Sequence, residues 1–272
     1  MKPELRRILF SLAVLGWSAV LLYFHASGRI TKYLAPDFRP IAFAGGLGLA
    51  VLGLFNLLTA WQSVDCGHDH GNDGSSHDHE TSDVHPLVAL LLMILPIGLS
   101  VAWTRDEYSV QALSRKGLYD SPSNLSESIN AAALPPLTRE EIEKNRSRTD
   151  DGFYQFNLME LFYATGEREL QSVIDGMKVE TEGRWIEEKT RNPNGTRKRL
   201  YRLFITCCAA DSRAIPIILE FGGIPPEFPE NGWVKVSGVM RFPLEEGVLQ
   251  PLLLVERVLA AEPPYEESFL RK

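Results

Sequence analysis

Three stretches without a charged residue open the chain, at 8–24, 41–60 and 87–103. A helix that crosses a bilayer needs about 20 apolar residues, with roughly 17 as the lower limit. The second stretch meets this easily, and the other two sit near the limit. Trp17, Tyr23, Trp61 and Trp103 suit the aromatic belts of a membrane. The pattern therefore predicts three transmembrane helices. A cleavable leader is the competing reading of the first stretch, but around His25 and Ser27 no small residue stands three places before a plausible cut. Gly45, Gly46, Gly48 and Gly53 would let helices approach closely in lipid.

After residue 104 the pattern changes. Residues 105–149 read as a tether broken by Pro135 and Pro136, followed by a short helix that Thr138 caps, with Glu141 three places on. Leu158, Leu161, Phe162 and Thr165 keep helical spacing, which predicts a second short helix within 156–172. Beyond Gly176 the period becomes two. Strands are expected at 177–185, 200–206, 214–221, 233–240 and 249–258, with turn residues at 193–195 and 229–232. Five short strands with no clear helix between the third and fourth predict a small OB-like β-barrel.

The expected fold is thus an α + β membrane protein: three transmembrane helices, a tether, two short helices and a five-stranded OB-like β-barrel. Its parts are a membrane region at 1–104, a linker at 105–149 and a helix-plus-barrel domain at 150–272. Within the first lies a His/Asp-rich loop at 62–86.

That loop dominates the charge. The net charge is −7, and Asp65, Asp69, Asp73, Asp78, Glu80 and Asp83 supply six of those negative charges. It also holds five of the six histidines: His68, His70, His77, His79 and His85. Neutral imidazole is a common ligand for divalent transition metals. With Cys66, Asp69 and Asp78 these side chains form a candidate site for Zn2+, or for Ni2+ or Cu2+. Ordering a flexible loop costs about 1–2 kcal/mol per residue, so the ion should be held loosely, as in capture and hand-off. The bland alternative is a hydrophilic linker.

Three further residues form a second candidate site: Cys207, Cys208 and Asp211. Placed on a strand, the two thiols would point to opposite faces, and packing competes with a metal or redox role. His25, at the end of the first span, reads as an interfacial anchor or as part of a transport path. The basic run Lys189, Arg191, Arg197, Lys198 and Arg199 straddles a turn diluted by Glu187 and Glu188. A solvated hairpin tip, or contact with anionic lipid, fits it better than nucleic acid. No phosphate loop, nucleophile elbow or zinc-protease helix occurs, so the chain is not read as an enzyme.

The runs Phe204–Asp211, Gly232–Gly238, Glu262–Tyr265 and Phe24–Tyr33, together with the His/Asp-rich loop, carry a family resemblance. In these the chain resembles the YcgQ-type family, small membrane subunits of bacterial two-gene permeases. The resemblance covers most of the chain and is most specific at Cys207, Cys208 and Asp211. It departs at Glu266 and Glu267, where apolar or aromatic residues would be expected. It implies a larger multi-span permease as partner.

The expected function is an accessory permease subunit in the bacterial plasma membrane, handling zinc or another divalent metal. The rival is a membrane-anchored binding module for an envelope ligand, with the loop incidental. Arg29, Lys32, Arg39, Arg105, Arg115 and Lys116 outnumber Lys2, Arg6 and Arg7. By the positive-inside rule this puts the loop outside and the C-terminal domain in the cytoplasm.

Overall fold

Apolar side chains and small-residue contacts shape the N-terminal helices. In the computed structural model, residues 3–61, 85–103, 108–120 and 138–270 are described. The chain divides into two units, Met1–Asp106 and Glu107–Lys272. The first holds α1 (Pro3–Ala26), α2 (Arg39–Leu58) and α3 (Pro86–Trp103).

Two of its helices, at Glu4–Ala26 and Pro36–Leu58, are long and apolar enough to cross a membrane. The third apolar stretch, Pro86–Ala102, is shorter. Their apolar side chains mostly face outward: Ile41, Val51, Phe55 and Leu91 are each more than half exposed. Helices from the core of a soluble protein would hide them.

Glycine decides how α1 meets α2. A Cβ at Gly53 would stand 2.7 Å from Leu15 Cγ, and one at Gly46 would stand 3.1 Å from Leu22 Cδ2. Between them Ser18 Oγ donates to Gly46 O at 2.7 Å. Gly45 and Gly48, by contrast, face open space. Trp17 lies mid-helix on α1, and its indole N–H donates to Met93 O of α3 at 3.1 Å.

The second unit begins with α4 (Val110–Arg115), capped by Ser109. Next come α5 (Arg139–Asn145), α6 (Leu158–Tyr163) and α7 (Arg168–Ile174). The capping box expected at Thr138 and Glu141 is present, and a second one, Asn157 with Glu160, starts α6. The single helix expected across 156–172 is instead two. Thr165 and Gly166 turn the chain back with N–H donations to Phe162 O and Tyr163 O.

α4 and α5 themselves pack into the second unit. Leu113 and Leu118 are fully buried beside Ile186, Tyr201 and Ala214, and Ile142 joins the main core. Hydrophobic residues scattered at irregular spacing hid these contacts from a periodicity reading.

The strands are β1 (Tyr154–Gln155), β2 (Lys178–Glu187), β3 (Arg197–Ile205), β4 (Arg213–Glu220), β5 (Trp233–Arg241), β6 (Leu244–Glu245), β7 (Val248–Leu249), β8 (Leu252–Ala260) and β9 (Phe269–Leu270). The five long ones close on themselves. β2 pairs with β5, β5 with β8, β8 with β4, β4 with β3, and β3 again with β2. Every pairing in this ring is antiparallel except β4 with β8, which is parallel.

Inside lie Val179, Trp185, Leu200, Leu219, Val234, Val236, Met240 and Leu253, closed at one side by Leu158 and Leu161 of α6. Phe221 and Phe228 meet Trp185 edge-on, with ring centroids 5.7 and 5.6 Å away.

The basic run on the β2–β3 hairpin is less solvated than its sequence suggests. Arg197 chelates Glu245 and pairs with Glu220. Arg199 is buried against Glu188, 2.5 Å away, and lies over the Tyr119 ring. These two guanidiniums are therefore committed inside the fold rather than to lipid or water.

Candidate functional site

Strand β3 ends at Ile205, and the backbone then folds into a tight turn, Ala209–Asp211. Asp211 makes that turn. Its carboxylate accepts the N–H of Cys207 at 2.9 Å and of Cys208 at 3.3 Å. In return the Asp211 N–H reaches the Cys208 sulfur and carbonyl.

The cysteines therefore do not occupy a strand, and the rule of opposite faces does not apply to them. Both thiols, half-buried and reduced, stay with the carboxylate. One ligand atom from each of Cys207, Cys208 and Asp211 lies within 4.8 Å of the other two. Zinc–donor bonds of 2.0–2.3 Å place tetrahedral ligands roughly 3.3–3.8 Å apart, so a small closure suffices for one ion. Three protein donors leave one position for an outside ligand.

Lys116 and Tyr108 brace the turn from below. Lys116 Nζ donates to the carbonyls of Ala209, Ala210 and Ser212 at 2.9, 3.4 and 3.4 Å. Tyr108 Oη donates to Ala209 O at 3.2 Å, and the ammonium stands 5.1 Å from its ring centre. Sequence reasoning missed both residues, having counted Lys116 only as a topology charge. A cleft of about 490 Å³ opens here, lined by Ala112, Arg115, Lys116, Asp211 and Arg213 among others.

The electrostatics favour a protonated resting thiol. The hydrogen bond to the Asp211 carboxylate, with burial and the neighbouring Cys208, pushes Cys207 up to about 11. Burial pushes Asp211 up, but the Cys207 thiol and the amides of Cys207, Cys208 and Thr206 outweigh it and hold the carboxyl below its usual range. Asp211→Asn removes the negative charge, so the Cys207 thiol should ionise more easily. Each unit by which the pKa falls raises the thiolate fraction at pH 8 about tenfold. Iodoacetamide labelling of the full chain should therefore quicken by roughly that factor per unit. An unchanged or slower rate would contradict the assigned contact.

Other predicted donors fare differently. Cys66, His68, Asp69, His70, His77, Asp78 and His79 lie outside the described residues. His85 caps α3: its carbonyl accepts from Val88 and Ala89, and its Nδ1 accepts the Leu87 N–H at 3.4 Å. His25 is exposed at the end of α1 and stacks against Phe43, 4.6 Å between ring centres.

A family model, the DUF1980 N-terminal domain, matches residues 9–118. This family is uncharacterised. The match takes in α1 to α4 and stops at Leu118, short of the barrel. It thus includes Lys116 and Tyr108, which brace the thiol turn. No curated protein matches the chain.

Proposed function

We propose that this protein is a membrane-embedded accessory subunit of a larger multi-span permease, handling zinc or a related divalent ion in the bacterial plasma membrane. The observation that carries this reading is the convergence of Cys207, Cys208 and Asp211 within 4.8 Å. The apolar helices of the same chain and its five-histidine loop add to it. The loop would gather the ion at one membrane face, and the thiol turn would take part in passing it on. The metal is cargo here, and this chain's residues hold and release it. The YcgQ-type resemblance adds to this reading, and the DUF1980 match over residues 9–118 is consistent with that family.

The finer architecture belongs to the same proposal. Three spans are proposed, although α3 has 18 residues and is about 27 Å long at 1.5 Å per residue. That is slightly under a hydrocarbon core of about 30 Å, a mismatch that local thinning of the bilayer accommodates. The loop is placed outside and the C-terminal unit in the cytoplasm. An OB-like barrel is proposed for the C-terminal unit, supported by the ring order and the single parallel pairing.

The test is zinc titration of the detergent-solubilised full chain beside two variants: Cys207→Ser with Cys208→Ser, and the five loop histidines changed to Ala. Each variant should lose part of the bound zinc, and a multi-span partner should co-purify in mild detergent. Wild-type protein that binds zinc no more tightly than about millimolar would end the proposal, since hand-off needs more than collisional contact.

A second reading, a membrane-anchored binding module, draws on a different observation: two enclosed arginines on the barrel, Arg184 and Arg202, held by the residues that follow β8.

A further inference from the structure

After β8 the chain does not leave the barrel. Residues 262–268 cross its surface, and β9 then pairs in parallel with β3, Phe204 with Phe269 and Ile205 with Leu270. The floor beneath this tail is Trp233. Arg184 and Arg202 both lie over its ring, 5.6 and 5.3 Å from the centre.

The tail offers acceptors to both guanidiniums. Glu267 Oε2 pairs with Arg184 Nη2 at 2.5 Å. Arg202 Nε donates to Glu267 O at 3.0 Å, and Nη2 to Glu266 O at 2.8 Å. Arg184 Nη1 also reaches Asn231 O at 2.7 Å, while Tyr201 Oη holds Asn231 Oδ1 at 2.8 Å. Glu266 and Glu267, the departure from the resemblance, are therefore the residues that dock the tail.

Two features distinguish this cleft from an ordinary packed terminus. The arginines and the tryptophan are set on the long strands, and with the tail in place the side chains are only 14% exposed for Arg184 and 11% for Arg202. The tail itself is shallow: no described side chain from Glu262 to Ser268 is fully buried, and Tyr265 is 80% exposed. Glu267 is itself largely enclosed, its side chain 17% exposed, but the rest of the segment buries little, and a segment with few buried side chains opens locally more readily than the core. Vacating the cleft would take three acceptors from guanidiniums that are poorly reached by water, which is costly. Something rich in carbonyls and carboxylates must take the tail's place. The indole N–H of Trp233 is buried and without an acceptor among the described residues.

We propose that this cleft is a docking site for an extended acidic segment of a partner protein, and that the chain's own tail is its tethered competitor. Recognition combines strand addition beside β3 with carboxylate and carbonyl capture by Arg184 and Arg202. The inference stands whether or not the thiol turn or the histidine loop holds metal.

Fluorescence anisotropy with a labelled peptide of residues 262–272 tests it. The chain ending at Ala261 should bind this peptide. The intact chain should bind it on the order of a hundredfold more weakly, because a tethered tail competes at about millimolar effective concentration. Adding Arg184→Ala and Arg202→Ala to the shortened chain should cost at least about tenfold. A peptide with Glu266 and Glu267 changed to Gln should bind weakly.

Should the shortened chain misfold, a protease site inserted after Ala261 of the intact chain gives the same comparison once cut. Equal binding by intact and shortened chains, or by a scrambled peptide, overturns the proposal. So does tighter binding of single-stranded RNA than of the acidic peptide by the shortened chain.

Discussion

Replacing Arg199 with Ala is expected to destabilise the C-terminal unit by about 3–5 kcal/mol, the usual cost of stranding one member of a buried ion pair. The Arg199 and Glu188 side chains are 2% and 0% exposed. The guanidinium also donates to Leu118 O and covers the Tyr119 ring, so its loss loosens the segment that follows α4 as well. Glu188 would keep its three donors, Thr190 N, Thr190 Oγ1 and Arg191 N, but lose its counter-charge. Domains are stable by only about 5–15 kcal/mol, so much of the margin goes.

Denaturant titration of the full chain in detergent, read by Trp185 and Trp233 fluorescence, measures the effect. The contrasting substitution is Lys178→Ala. It removes a bridge to Glu256 between side chains that are 52% and 43% exposed, and should cost under about 1 kcal/mol. Similar losses in the two variants would refute the ranking.

The same pair sets an acid limit. Burial pushes the Glu188 carboxyl up, but Arg199 and the donors of Thr190 and Arg191 outweigh it, so its folded value lies below the ordinary 4.5. A depressed carboxyl contributes its full stability above the unfolded value. That contribution is lost as the pH falls below 4.5 and through the folded value. Arg199→Ala should flatten this part of the pH–stability curve.

Gly238→Ala is the second large effect. β8 bulges opposite the Ser237–Gly238 step of β5: Ser237 pairs with Arg257 and Gly238 with Val255, so Glu256 is the extra residue, and the two backbones come close at Gly238. A Cβ on Gly238 would meet Leu254 O, stand 2.9 Å from Leu254 C and 3.1 Å from Val255 Cα. The obstacle is backbone on the facing strand, which no rotamer change relieves. A loss of about 3 kcal/mol or more is expected, at or beyond the upper end for overpacking. Gly223→Ala, with nothing within 4 Å, should change stability by no more than about 0.5 kcal/mol. The same denaturant series reads both, and equal midpoints would remove the steric argument.

Strand positions were legible because alternation survives in short windows. All five long strands lie within a few residues of their expected limits, and Thr138 announces α5 through local chemistry. What could not be read depends on residues distant in the chain. Leu118 gains its meaning from Ile186 and Tyr201, Arg184 from Glu267, and Lys116 from the carbonyls of Ala209 to Ser212. The thiol turn was misjudged for a related reason. Its residues continue a strand-like composition, and only the bonds from Asp211 to the Cys207 and Cys208 amides show where the strand stops.

The parallel pairing of β4 with β8 has a consequence for biosynthesis. β5 and β4 both wait for residues 252–260 before their ladders are complete. At about 5–20 residues per second, a ribosome needs seconds to go from β4 to β8, far longer than a hairpin needs to form. A nascent chain therefore carries half-assembled strands throughout that interval, and maturation ends in one late closure. Mutations that delay closure should show first as chaperone dependence or proteolytic loss during growth, before any change in the finished protein.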